Sequence, residues 1–326
     1  MNREFRIGTR ESELALWQAN LVKDMLAEIG FASTLVLIKS EGDVDLKTPL
    51  YEMGVQGIFT RSLDIALLNN KIDIAVHSMK DVPTVLPPGI VKGAVIKRGN
   101  YNDIFIVNDK KYNGKHPPEG AFSPLRLSGK YDLLAADLHS VATIATGSIR
   151  RKAQWLHRFP DHQIINIRGN VNSRLRKVEE SDWDGAIMAA AGVERINLRP
   201  KSAVELDWML PAPAQGAILA ACKAGDEDCR EALKGINHKA TAIAAETERE
   251  FLRALMGGCA TPISALAIVD NKDVYFKGNI LSTDGRKKIE IEKQVSVDKV
   301  ESLGLRMAAD ILKDGGREIL DQFRNE

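Results

Sequence analysis

The spacing of apolar residues changes repeatedly along the chain, and each change marks an element. Residues 5–8 form a short strand-like run. After Thr9-Arg10-Glu11-Ser12, apolar Leu14, Trp17, Leu21, Met25 and Ile29 recur at helical intervals, with Ser12 in the N-cap position. Residues 35–38 predict a second strand, residues 59–68 a helix with Phe59, Leu63, Ala66 and Leu67 on one face, and residues 72–76 a third strand. The same grammar resumes with strands at 103–107, 141–146, 163–167 and 185–189, and helices over 148–159 and 171–179. Strand-then-helix alternation predicts mostly parallel, doubly wound sheets, and hence two α/β lobes. Pro87-Pro88-Gly89 and residues 97–102 read as connecting turns, and 109–118 as a polar loop. Beyond Asn237 the pattern predicts a long helix through Met256, three strands at 263–269, 274–281 and 287–295, and closing helices. Thr283-Asp284-Gly285 is a hairpin turn, which makes this last part a small α+β domain with an antiparallel sheet.

A chain of 326 residues is too long for one ordinary core and fits two or three domains with a cleft between them. Lys and Arg number 45 against 44 Asp and Glu, so the net charge of +1 leaves no broad basic footprint for nucleic acid or an acidic membrane. Any cationic site must be local. The amino-terminal residues lack the apolar stretch of a signal peptide, and the chain holds no apolar run long enough to span a bilayer; the expected location is the cytoplasm. Cys222, Cys229 and Cys259 are odd in number and contain no Cys-x-x-Cys pair, which argues against a disulfide framework and a zinc ribbon, and no metal is expected.

Cations occupy places that helix energetics would not choose. Arg10 follows the first strand, Arg150 and Arg151 open the helix after the 141–146 strand, and Arg168 follows the 163–167 strand. A cation near a helix N-terminus opposes the macrodipole at a cost of roughly 0.3–1 kcal/mol. The carboxyl ends of strands are also where open α/β sheets bind ligands, and guanidinium forks suit carboxylates or phosphates. The alternative for any one of these arginines is a solvated or ion-paired surface residue. No Gly-rich phosphate cradle is present, which favours capture of the anion by side chains.

His77-Ser78-Met79-Lys80-Asp81-Val82-Pro83 comes directly after the 72–76 strand and sets a carboxylate among these cations. Asp81 fits either an ion-pair partner of Lys80 or Arg10, or an acid that stays ionised, stabilises a developing cation and moves protons. His77 reads more simply as a core histidine than as a base. Cys259 lies in Met256-Gly257-Gly258-Cys259-Ala260-Thr261-Pro262, where the glycines end a helix and the proline blocks its resumption, so the sulfur sits on a turn. Cys222 reads as buried, and the acidic neighbours of Cys229 disfavour a thiolate there.

Taken together, Arg10 with Ser12, the His77 to Pro83 motif, Gly147-Ser148-Ile149-Arg150-Arg151, Arg168-Gly169-Asn170, Arg174 and Gly257-Gly258-Cys259 resemble the porphobilinogen deaminase family, in order over nearly the whole chain. The resemblance implies two lobes like those of type II periplasmic binding proteins and a third domain carrying the cysteine. The boundaries are 1–97 with 216–235, 98–215, and 236–326, with the chain crossing back to the first lobe near Gly216. It further implies a covalent dipyrromethane cofactor joined to Cys259 by a thioether. Four porphobilinogen units are added to it with loss of ammonia, and water then releases hydroxymethylbilane for tetrapyrrole synthesis. Under this reading Asp81 is the catalytic acid. Lys80, Ser12, Ser78, Asp43, Thr146, Ser148, Arg150, Arg151, Arg174, Gly169 and Gln215 hold the cofactor. Arg10, Arg168, Arg174, Arg195, Phe59 and Gly216 meet the substrate, and the family expectation is a monomer. Each pyrrole brings an acetate and a propionate, which arginine forks would grip.

Some positions depart from the family pattern. Glu52 and Gln56 stand where lysines are usual in a mobile segment, Ala260 replaces a Gln after the cysteine, Glu13 replaces a frequent Pro, and Gly147 and Ala214 replace a usual Ser and Gly. Two rivals remain at this point. A non-catalytic carboxylate-binding module leaves Asp81 and the Cys259 turn unexplained, and a phosphate-ester enzyme requires a cradle or metal that the sequence does not suggest.

Overall fold

The computed structural model describes residues 3–39, 60–111, 141–255 and 261–325. Among these residues the strands form three sheets. The first contains β1 (Phe5–Thr9), β2 (Ser33–Leu37), β3 (Ile74–Ser78), β4 (Ile90–Ile96) and β10 (Ile218–Lys223), in the order β2-β1-β3-β10-β4. The second contains β5 (Asp103–Val107), β6 (Thr143–Ala145), β7 (Gln163–Ile165), β8 (Gly185–Ala189) and β9 (Val204–Glu205), in the order β7-β6-β8-β5-β9. β11 (Ile263–Asp270), β12 (Asp273–Leu281) and β13 (Lys288–Ser296) make a third, antiparallel sheet in simple succession.

Both lobes are α/β, and each five-stranded sheet is mostly parallel as expected, with one strand reversed. β1 runs parallel to β2 and β3, but β10 is antiparallel to both β3 and β4; in the second sheet β6 is parallel to β7 and β8, whereas β5 is antiparallel to β8 and β9. Among the described residues each sheet thus takes in a single reversed strand, β10 in the first and β5 in the second. Spacing alone reports that a segment is a strand and which faces it buries, and leaves its direction open.

Period-two alternation places the cores. On β10, Ile218, Ala220 and Cys222 join Ile7, Ile74 and Val76 against the helices α1 (Glu13–Glu28) and, later in the chain, Glu227–Lys234. Leu219 and Ala221, on the other face, join Ala75 and Met79 against the helix Arg61–Leu68, here α2. Burial on both faces explains why β3 reads as nearly continuous apolar sequence rather than as alternation. In the second lobe Phe105, Ile144 and Ile187 pack on Trp155 of α3 (Ile149–Arg158), while Ile104, Ile106 and Met188 face Val171 and Leu175 of α4 (Val171–Glu180).

The long helix Lys239–Ala254 joins the third sheet to the first lobe. Its Phe251 packs edge-on to Phe276 of β12, and its Ala245 enters the core beneath Leu219. The hairpin turn after β12 docks on α3: Gly285 has φ +74°, and a Cβ there would lie 2.5 Å from the backbone nitrogen of His157. Only glycine satisfies both the left-handed backbone and that approach. Cys222 and Cys229 are buried against each other, and the contact with Cys222, reinforced by burial, raises the Cys229 thiol. Among the described residues no helix is long and apolar enough to cross a membrane.

Candidate functional site

β1 and β3 are parallel neighbours, so their carboxyl ends deliver Arg10 and the Ser78-Met79-Lys80-Asp81 segment to one edge of the first sheet. β3 passes directly into a three-residue 3-10 turn, Met79–Asp81, whose start is tied by Met79 N–H to Ala217 O at 3.0 Å. In the second lobe β6 ends at Ala145, and Thr146 follows it. The Thr146 hydroxyl accepts from Ser148 N at 3.3 Å, and Ser148 caps α3 by accepting from Arg151 N. Asn170 caps α4 in the same way through Ser173 N, which fixes the Arg168-Gly169 turn and brings in Arg174.

Arg150 and Arg151 lie in the first turn of α3, where the helix dipole disfavours them, and both are buried. Asp103, at the start of β5, offsets this. Its Oδ2 accepts from Arg150 at 2.7 Å, and its Oδ1 accepts from Arg151 Nε and Nη2 at 3.0 and 2.8 Å. The remaining arms donate to Leu210 O and Ile187 O. Burial alone would raise the Asp103 carboxyl, but Arg150 and Arg151, with hydrogen bonds from Arg151 and Gln215, hold it at about 2.

Gln215 links this cluster to the first lobe. Its Nε2 donates to Asp103 Oδ1 at 2.9 Å and to Tyr101 O at 2.8 Å, while its Oε1 accepts from Lys80 Nζ at 3.3 Å. Burial pushes Lys80 down to about 8; Asp81 pulls the other way, and Arg151 and Arg150 add to the depression. Arg174 donates to Gly169 O at 2.7 Å and is pushed down to about 10 by burial and by Arg151, with Asp81 opposing and Arg168 reinforcing. Lys80, Arg150, Arg151, Arg168 and Arg174 thus act on one another around two carboxylates, Asp81 and Asp103. Among the described residues the positive charge exceeds the negative at this largely buried place, an arrangement that favours an anionic ligand.

Arg195 is placed elsewhere, at the crossing of the chain. It donates to Gly216 O at 2.6 Å and stacks over Trp17, and burial lowers it to about 10 against the pull of Glu194. Gly216 has φ +84°, and a Cβ there would meet Gly99 O at 2.9 Å. Ser12 occupies the N-cap of α1 with no side-chain capping bond, and the Ser78 hydroxyl pairs with the Gln18 amide at 2.9 Å. His77 is a buried histidine whose Nε2 has no hydrogen-bond partner; burial, then Arg10, pushes it down to about 4. Cys259, Asp43 and Phe59 lie outside the described residues, as do Glu52, Gln56 and Ala260.

Three contributors escaped the sequence reading. Asp103 resembled an ordinary strand start. Glu248 is fully buried and accepts from Arg98 Nη1 and Nη2 at 2.5 and 3.0 Å, from Ala214 N at 2.6 Å and from Ala267 N at 2.7 Å. Arg249 reaches the turn that bears Asp81. A charged residue on the buried face of a helix was the available signal for the last two.

Two family models match in succession. Porphobilinogen deaminase, dipyromethane cofactor binding domain, spans residues 5–231, and Porphobilinogen deaminase, C-terminal domain, spans residues 242–313. The chain belongs to the porphobilinogen deaminase family. Members of the porphobilinogen deaminase family are transferases, and this chain is similar to curated relatives of that name along its whole length. The protein from Carboxydothermus hydrogenoformans is 40% identical over 100% of this chain and 99% of its own, and that from Syntrophotalea carbinolica 38% identical over 97% and 94%. Among solved structures, the Bordetella pertussis BvgS VFT2 domain aligns over 73% of this chain and 90% of its own, with TM-score 0.40 and 11% identity. The methionine binding protein MetQ aligns over 76% and 94%, with TM-score 0.42 and 9% identity. Likenesses at that level carry no functional conclusion.

Proposed function

We propose that this porphobilinogen deaminase joins four porphobilinogen molecules head to tail, with loss of one ammonia for each, on a dipyrromethane held by a thioether to Cys259, and that water then releases hydroxymethylbilane. The surplus of buried positive charge around Asp81 carries the reading, because a chain of pyrroles, each bearing an acetate and a propionate, is the anion such a cleft would neutralise. The donor set fits: Arg168, Arg174 and Lys80 supply charged donors, Thr146, Ser148 and the Gly169 turn supply hydroxyl and backbone groups, and Arg150 and Arg151 are held in place by Asp103. When bound, the dipyrromethane supplies the nucleophilic pyrrole carbon to which substrate is added.

The chain's own residues do the rest. Asp81, on a turn beside Lys80, accepts hydrogen bonds from pyrrole N–H groups, stabilises the positive charge left on a substrate pyrrole when ammonia departs, and takes up a proton as aromaticity returns. Lys80 and the arginines hold substrate carboxylates away from Asp81, which keeps that acid available. A carboxylate bound beside Lys80 opposes the depression that burial causes and favours its charged form. Arg10, at the neighbouring strand end, meets the incoming porphobilinogen.

Domain boundaries at 1–97 with 216–235, 98–215 and 236–326 accord with the membership of the three sheets. A monomer in the cytoplasm, acting without nucleic acid or membrane, completes the proposal. Intact mass of the purified protein tests it. The parent should carry an adduct of dipyrrole size that is missing from Cys259→Ser, and should consume porphobilinogen. Folded, unmodified parent protein that leaves porphobilinogen untouched would refute the proposal.

A further inference from the structure

We infer that Arg249 is a positioning residue for Asp81. It lies on the helix Lys239–Ala254 and is 5% exposed, yet its hydrogen bonds go to backbone carbonyls. Nη1 donates to Val82 O at 2.8 Å and to Met79 O at 3.3 Å, and Nη2 donates to Pro83 O at 2.5 Å. These three carbonyls bracket Lys80 and Asp81 on both sides.

That segment has little of its own to keep its shape. The turn is a 3-10 helix of three residues, Met79–Asp81, closed by one bond from Val82 N to Met79 O at 3.2 Å, and such short turns are weak. Pro83 has no N–H with which to continue it. A planar guanidinium with several fixed donors can hold three carbonyls at set angles, which a single ammonium cannot do as well. Burial lowers the Arg249 guanidinium, with Glu246 opposing, so the charge is kept there at some expense to stability. A side chain needed only to fill that space would be apolar. Arg249 also stands on the helix that precedes Cys259 in the sequence, so one side chain ties the acid's turn to the helix before the anchor cysteine.

The inference rests on the role proposed above for Asp81. The experiment compares Arg249→Met and Arg249→Lys with the parent as cofactor-loaded enzyme, with loading measured by intact mass and folding by thermal melts. kcat and KM for porphobilinogen are expressed per folded, loaded molecule. A misplacement of about 1 Å at a reacting group lowers rates by roughly 100-fold, so Arg249→Met should lose about 10- to 100-fold in kcat with little change in KM. Arg249→Lys, which retains charge and stem, should fall between. If kcat in the variants stays within about twofold of the parent, or if only KM rises, the inference is overturned whatever happens to thermal stability. Should Arg249→Met fail to accumulate as folded protein, Arg249→Lys decides by the same criterion. A parent that leaves porphobilinogen unconsumed removes the proposed function and this inference together, whereas an active parent with unimpaired variants removes the inference alone.

Discussion

Asp103→Asn isolates one carboxylate on which four side-chain donors converge: Arg150 Nη2, Arg151 Nε and Nη2, and Gln215 Nε2, all between 2.7 and 3.0 Å. Asparagine keeps the shape but offers one acceptor oxygen. If that oxygen takes the Oδ1 position, Arg151 and Gln215 stay bonded, and the new amide N–H groups face the Arg150 donor. In the other orientation three donors are lost. Either way two buried guanidiniums remain in one pocket without their counter-charge. Removing one partner of a buried ion pair costs about 3–5 kcal/mol, a large share of the ~5–15 kcal/mol that stabilises a folded domain. At roughly 2–4 °C per kcal/mol the melting temperature should fall on the order of 10 °C. Thermal and urea melts of the loaded enzyme provide the assay, and Asp103→Asn/Arg151→Met provides a second arm. Deleting one stranded cation should return about 1 kcal/mol or more relative to the single variant. The folded Asp103 carboxyl lies at about 2, below its ordinary 3.8. Its contribution is therefore present above pH 3.8 and is lost as pH falls through the folded value. A loss below about 1 kcal/mol in Asp103→Asn, or additive losses in the pair, would refute the account of a buried carboxylate that offsets two misplaced cations.

Three further outcomes follow from the same geometry. His77 sits at about 4 when folded against an ordinary 6.5, so the unfolded chain binds the extra proton between those values. Stability should drop by up to about 3 kcal/mol as pH falls across that window, and His77→Asn should flatten the slope; equal slopes in parent and variant would show that another group is responsible. Gly216→Ala forces a Cβ to within 2.9 Å of Gly99 O at φ +84°. A loss of about 1–3 kcal/mol by chemical denaturation is expected, and an unchanged midpoint would mean that the crossing is softer than it looks. Asp81→Asn should keep fold and adduct but lose about 100-fold or more in turnover, and normal kcat there would mean that a different acid does the chemistry.

Much of the arrangement was legible in the sequence because it is local. Strand 185–189 and the helix before residue 180 follow from periodicity, and the position of Lys80 and Asp81 follows from the strand that precedes them. Arg150 and Arg151 stood out because they broke a rule about helix ends. What completes that rule, Asp103, is some 47 residues away along the chain, and nothing in its neighbourhood distinguishes it from any strand-initial aspartate. Arg249 and Glu248 signalled themselves only as charges on the buried face of a helix, and their partners at Pro83 and Ala214 are 166 and 34 residues distant. The mostly parallel character was legible, but the one reversed strand was not, because β10 pairs antiparallel through side chains that alternate just as they would in a parallel strand.

The seat of β10 between β3 and β4 also bears on how the protein is made. β4 ends at Ile96 and β10 begins at Ile218, so the strand that joins β3 to β4 among the described residues arrives only after about 120 further residues have been synthesised, roughly 6–24 s later. The strands of the second sheet, from Asp103 to Glu205, all emerge within that interval and are complete before β10 leaves the ribosome. The lobe that begins the chain is thus the one that must wait. Through that delay it exposes the unpaired edges of β3 and β4, the kind of edge on which other strands can add.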